Sequence, residues 1–515
     1  MNDTDKVSTI CTECGAPVTF TVGVSHARCT FCEAGMAIGD GTRLVRLCCP
    51  VCSGNFYYID GLMSGQCPFC ESALLALTHD RVLRFVISPA VHPPTSDAEL
   101  VLVPFWQLTG VMYAWDVGSK MTIDARPSTS QQGATNDPIP MHGRTDVGPR
   151  KLFRGRVIER WIPDPSTLTL GITSLRLRAA IFPMEPFRAE HESLGRMLPA
   201  TLDIERARER LYEIAMDLDR GAEGMTSVEC QRADLLAESL SLLYYPFWVR
   251  RQAPAGPSSG RADTDYQIWD GVSGQREPLG KPERSDLGPS IQVFDDLTVI
   301  ELRCGQCSNA LLPGNHNVVY PCPHCATFWV AEKDGLKPFS ATYARPWIAL
   351  DAGDEPVWLP FWRVAVTLDY LDRRARNVSD AREVLGVLRP PGDAPGAEPD
   401  DALGYFVPAY GALKAPRLDA AARDMTRLQP LLERGELSSG DVFHCFYDPD
   451  DARKLAYVVW MQILPVSVWR PLASLRIQPG PVHLWYIPFA HRSRELVNRV
   501  TGVRYDRMSF RGLEH

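Results

Sequence analysis

Twelve of the fifteen cysteines fall into three sets with one spacing. Cys11/Cys14 with Cys29/Cys32, Cys49/Cys52 with Cys67/Cys70, and Cys304/Cys307 with Cys322/Cys325 are each two Cys-x-x-Cys pairs separated by fourteen residues. Two such pairs can close four thiolates around one Zn²⁺ in a tetrahedron, and four sulfur ligands leave no position for water or substrate. The chemistry expected is therefore structural, with about three Zn²⁺ per chain. Cys-x-x-Cys also serves thiol–disulfide exchange, but there it usually occurs singly, at a strand-to-helix turn. Cys48 adjoins Cys49 and competes with it as a ligand, and the fourteen-residue spacing favours Cys49. His324, inside the last knuckle, reads as a bystander.

The segments between the pairs carry hairpin signals. Val18–Val22 stops at Gly23, Phe56–Ile59 at Asp60-Gly61, and Ala310–Leu312 at Pro313-Gly314-Asn315. With these, each set resembles a zinc ribbon, the rubredoxin-like four-cysteine knuckle fold. That resemblance implies a module of some 30 residues with almost no apolar core, whose fold rests on the metal, worth ~10–16 kcal/mol in zinc-finger peptides.

Beyond the cysteines the chain carries a second recurring element, Pro-Phe-Trp at Pro104, Pro246 and Pro360, with a weaker Pro-Phe at Pro488. Proline cannot donate to a ladder and belongs at a strand start or edge, and the aromatic pair behind it supplies core area. Around Phe105 the sequence is apolar at both parities: Phe105, Val111 and Tyr113 on one side, Trp106, Leu108 and Met112 on the other. A strand buried on both faces is expected there. Trp362, Val364, Val366, Leu368 and Tyr370 alternate along a second such strand.

Five landmarks recur in order: Cys49 and Cys304, Pro104 and Pro360, Pro183 and Pro408, Pro246 and Pro488, Gly274 and Gly502. Amphipathic helices are expected at Ile204, Ala207, Leu211, Ile214 and Leu218, capped by Asp203, and at Leu418, Ala422, Met425 and Leu428. The reading is a multidomain α+β protein, rich in β-structure. It has three four-cysteine zinc ribbons and two duplicated antiparallel β domains, each with an amphipathic helix. The boundaries are ribbons at 1–45, 46–78 and 295–335, and β-rich repeats at 79–294 and 336–515. This arrangement resembles uncharacterised bacterial zinc-ribbon proteins with Pro-Phe-Trp β-repeats, a likeness that implies no activity.

Charge narrows the partners. The net charge is −8, and residues 1–75 hold four Lys/Arg against seven Asp/Glu. Phosphate backbones are bound mainly through Lys and Arg, so the ribbons suit protein partners better than nucleic acid. Arg492, Arg494, Arg499, Arg504, Arg507 and Arg511 form the candidate anion site, and they keep a nucleic-acid-binding accessory role as the alternative. Asp448-Pro449-Asp450-Asp451 reads as a helix N-terminus rather than a cation site. No HExxH, GxSxG, GxxxxGK[ST] or strand-following GxGxxG occurs, so no residue is nominated as catalytic. There is no signal-peptide pattern and no apolar run long enough to span a bilayer. Together with thiolates kept for metal, this makes the expectation a cytoplasmic, non-enzymatic scaffold without membrane insertion.

Overall fold

A computed structural model describes residues 6–10, 17–21, 24, 26–30, 33–37, 44–59, 64–77, 82–120, 148–173, 175, 183–217, 227–251, 266–280, 282, 297–314, 317–332, 335–370, 373–385, 398, 400–410, 420–437, 440–463, 476–492 and 495–506. Among these the chain is β-rich with few helices. No described helix is long and apolar enough to cross a membrane.

Each half is built on a long antiparallel pair. Glu99–Lys120 pairs with Ser227–Arg251 in the first half, and Glu355–Tyr370 with Arg476–Arg492 in the second. The registers correspond. Pro104 stands opposite Tyr244 and Leu102 opposite Pro246, while Pro360 stands opposite Tyr486 and Trp358 opposite Pro488. A β-bulge interrupts both ladders, between Thr109 and Val111 and between Val364 and Val366. A short parallel strand lies on the outer side of each returning strand, Leu83–Val86 beside Ser241–Tyr244 and Ala341–Tyr343 beside Leu484–Tyr486. Another lies beside each leading strand, Arg196–Met197 and Asp441–Val442. These additions make the sheets mixed, where the sequence led to purely antiparallel domains.

The closing turns also match in detail. The Asp270 carboxylate accepts from the N–H of Val272 and Ser273, and the Asn498 side-chain oxygen accepts from those of Val500 and Thr501. Gly274 and Gly502 then take the left-handed conformation, at φ of 73° and 76°.

Two landmark assignments are corrected. The partner of Phe361 is Pro408, and that of Phe105 is Pro163. By register, Phe406-Val407-Pro408 stands against Phe361 as Trp161-Ile162-Pro163 stands against Phe105, whereas Pro183–Pro186 pairs with Leu83–Val86 and with Leu44–Val45. Similarly, helix Ile204–Asp217 follows the parallel strand Arg196–Met197, and in the second half Pro449–Lys454 and Ala456–Ile463 follow Asp441–Val442. Asp203 and Asp448 accept from Arg206 N–H and Asp451 N–H at the corresponding starts. Helix Ala420–Leu428 precedes the parallel strand, where the described residues of the first half hold only the short 3₁₀ helices Pro165–Leu170 and Ala189–Ser193. Ile214, expected on the buried stripe, is 39% exposed, while Ala207 and Leu211 are fully buried. Leu218 and Leu418 lie outside the described residues.

Both faces of Glu99–Lys120 are covered over residues 100–113, as its two apolar parities require. Trp106, Leu108 and Met112 pack with Ala207 and Leu211 of the helix. Phe105 joins Tyr245 and Phe247 in a separate core, and Val111 and Tyr113 join the core of the second half. Lys454 Nζ donates to the carbonyl of Leu235 at 2.8 Å, another tie between the halves.

Candidate metal centres

A Cys-x-x-Cys pair must turn the chain back on itself so that both sulfurs point to one centre. The flanking strands show how this is done. The residue before each pair lies opposite the residue two places beyond the following turn: Ile10 opposite Pro17, Arg28 opposite Gly35, Cys48 opposite Asn55, Gln66 opposite Ala73, Arg303 opposite Ala310 and Pro321 opposite Phe328. Each knuckle among the described residues is thus the turn of its own hairpin. This corrects the expectation of a hairpin joining the two knuckles of a set: Asn55–Ile59 pairs back to Leu44–Cys48, and Ser64–Gln66 pairs forward to Ala73–Ala76.

Inside the five described turns the backbone repeats. Cys29 N–H donates to Ala34, Cys49 to Gly54, Cys67 to Ser72, Cys304 to Asn309 and Cys322 to Thr327. The fifth residue of each turn, Glu33, Ser53, Glu71, Ser308 or Ala326, donates back to the first cysteine's carbonyl and has φ between 56° and 60°. A side chain in that conformation is strained by of the order of 1 kcal/mol, so the surrounding structure must hold it.

Two complete clusters assemble. The sulfurs of Cys49, Cys52, Cys67 and Cys70 lie within 4.8 Å of one another, as do those of Cys304, Cys307, Cys322 and Cys325. Cys49 Sγ is 3.8 Å from Cys70 Sγ and Cys52 Sγ 3.8 Å from Cys67 Sγ; the corresponding distances are 3.5 and 3.6 Å in the second cluster. A tetrahedron with Zn–S of ~2.3 Å has edges of about 3.8 Å, so the donor sets fit a zinc-sized cation. Cys48 is exposed and stands outside the cluster, and so does exposed His324. Of the first set, Cys29 is buried in a turn of the same geometry, and Cys11, Cys14 and Cys32 lie outside the described residues.

Groups around the sulfurs tune them. The Ser72 hydroxyl, 3.4 Å from Cys70 Sγ, lowers that thiol to about 6. At Cys304, burial opposes ionisation, but backbone N–H groups of Cys307 and Gln306 and the Thr327 hydroxyl outweigh it and bring the thiol to about 6. Burial pushes Cys67 and Cys322 up to about 12. A cation held by four thiolates displaces the protons that burial favours on Cys67 and Cys322. Thr327 is a hub that the sequence did not single out. Its Oγ1 lies 3.0 Å from Cys325 Sγ and accepts from Trp329 Nε1 at 3.1 Å. Ser72 and Thr327 each stand two residues after the last cysteine of their set, a signal visible in the sequence once the turn is known.

The described arginines of the C-terminal group each have partners of their own. Arg492 is bound by Asp354 and Asp351, Arg499 donates to the Ile348 carbonyl at 2.9 Å, and Arg504 lies 3.8 Å from Glu495. Arg494, Arg507 and Arg511 fall outside the described residues. Comparison with protein-family models, with curated proteins and with solved structures returns no match.

Proposed function

We propose that the chain is a zinc-ribbon scaffold of duplicated architecture, holding about three structural Zn²⁺ and docking protein partners inside a reducing compartment. The observation that carries the metal reading is the pair of four-cysteine clusters whose sulfur separations match a four-coordinate zinc tetrahedron. The third site, at Cys11, Cys14, Cys29 and Cys32, is supported by the shared turn at Cys29 and the shared register of Ile10 with Pro17. Duplication is supported by the matching registers, bulges and closing turns of the two halves. Four sulfur ligands close each centre to substrate, so its role is to hold a surface rather than to catalyse.

Elemental analysis of the purified chain should return about three zinc atoms per molecule by the ligand count. Fewer than two, or iron in place of zinc, removes the reading. Affinity capture from the native host should then recover protein partners that survive nuclease treatment.

A second reading, a nucleic-acid-binding accessory factor, draws support from one strand. Gly148–Pro163, at the edge of the large sheet, carries Arg150, Lys151, Arg154, Arg156 and Arg160 against the single acid Glu159. Basic residues also guard exposed edges against pairing with other chains. Loss of the captured partners on nuclease treatment would favour this second reading.

A further inference from the structure

The two described metal centres are far apart in sequence, yet one small sheet joins them. Ser64–Gln66 enters the second knuckle of the Cys49 centre and Ala73–Ala76 leaves it. Against Ala73–Ala76 lies Val299–Glu301, the strand that leads into Cys304. Leu302 N–H donates to Ala73 at 2.8 Å and Leu77 N–H to Thr298 at 2.9 Å, extending the ladder at both ends. Ser64, 1% exposed, donates its hydroxyl to the Gly314 carbonyl at 2.8 Å and accepts from the Gly314 N–H at 2.9 Å. A Cβ at Gly314 would sit 2.3 Å from Asn317 Nδ2, so any larger residue there displaces the buried Asn317 side chain.

The apolar core follows the same division of labour. Leu75 and Leu77 from the Cys49 module pack with Leu302, Leu311, Tyr320 and Trp329 from the other, and this cluster includes the ligands Cys304 and Cys322. A pair of knuckle hairpins around one metal is too small to build a core of its own. Here Leu75 and Leu77 complete the core around Cys304 and Cys322, while Leu297 and Val299, on the way into Cys304, pack at the margin of the first-half core that holds Cys49 and Cys67. The shared strand Ala73–Ala76 departs from a knuckle of the Cys49 centre and lies against the strand that leads into the first knuckle of the Cys304 centre.

Resting on the metal-centre reading, we infer that the Cys49 and Cys304 centres bind metal cooperatively, each raising the affinity of the other. Linkage requires the effect to be reciprocal: loss of metal at either centre must weaken the other by the same factor. A factor of about tenfold is expected for coupling through one shared strand and core.

The test uses the full chain loaded with Zn²⁺ and titrated with a chelator, with released cysteines alkylated and assigned by mass spectrometry. Cys304→Ser should move the release of Cys49 and Cys67 to about tenfold lower chelator, and Cys67→Ser should move Cys304 and Cys322 equally. Ile300→Pro keeps all eight ligands but removes a donor from the shared ladder. It should lower both midpoints, and adding Cys304→Ser to it should shift Cys49 little further. An unmoved Cys49 midpoint in Cys304→Ser together with unmoved midpoints in Ile300→Pro overturns the coupling while leaving the metal centres standing. Absence of zinc protection at both sets in the unmodified chain overturns the metal reading itself, and the coupling with it.

Discussion

At the scale of single residues, the eight cysteines of the two clusters are readable because their spacing is one that four-thiolate coordination requires, whereas the groups that tune them are not. A serine or threonine after a Cys-x-x-Cys pair is unremarkable in a sequence. Ser72 and Thr327 matter only because the turn closes and brings their hydroxyls against sulfur. With metal bound the thiolates accept, so the Thr327 hydroxyl donates to Cys325 while Trp329 Nε1 donates to Thr327 and fixes it. Partners of this kind are commonly worth ten- to a hundredfold in metal affinity. Thr327→Val should therefore weaken zinc at the Cys304 centre by roughly tenfold in chelator competition, with Thr327→Ser restoring it. An unchanged affinity in the valine variant would reduce the hydroxyl to packing. The left-handed Ser308 and Ala326 were equally invisible, since glycine usually announces that conformation and none stands at these positions.

At the scale of elements, the aromatic strands, their burial on both faces and the closing turns follow from parity and turn chemistry, and Trp106 and Trp362 are buried as their shared position after proline implies. What misled was matching by residue type. Phe182-Pro183 resembles Val407-Pro408, but equivalence is decided by which backbone stands opposite Phe105 and Phe361, and that is Pro163 and Pro408. The helix comparison failed for the same reason: an amphipathic stripe says that a helix packs, not where it falls between strands. Equivalence at the level of pairing makes a test. Gly274 and Gly502 close the same turn at φ of 73° and 76°, where an alanine costs ~1–2 kcal/mol. A Cβ on Gly502 would also approach Ile348 Cδ1 at 3.1 Å, while the nearest atom to one on Gly274 is Val91 at 3.7 Å. Both alanine variants should lose stability in urea unfolding, Gly502→Ala the more. If neither does, the turns are not equivalent constraints and the argument for duplication loses one support.

At the scale of the whole molecule, the unreadable part was how the modules lean on one another, because strand pairing between distant segments is settled by the tertiary core and not by local pattern. A sequence reading would let the Cys304 ribbon unfold by itself, leaving the β-rich core intact. The packing argues otherwise. Val319 and Phe328, which flank the second knuckle, belong to the core of the second half, and Phe328 stacks on Tyr486 with ring centroids 5.1 Å apart. Val318 N–H donates to the Cys445 carbonyl at 2.7 Å, and Phe339, on the strand after the ribbon, meets Trp362 edge-on at 6.0 Å. Loosening this knuckle withdraws a buried phenylalanine, a loss of ~3–5 kcal/mol where Phe→Ala substitutions have been made. With a shift of about 2–4 °C per kcal/mol for a unit of this size, removing the metal should lower the melting of the second half by roughly 10 °C. Calorimetry of the full chain with and without chelator measures this directly. Phe328→Ala in the metal-loaded chain should reproduce most of the shift without touching a ligand. Should the main transition stay in place in both experiments, the second core is complete without its ribbon, and the ribbon is an appendage free to unfold alone.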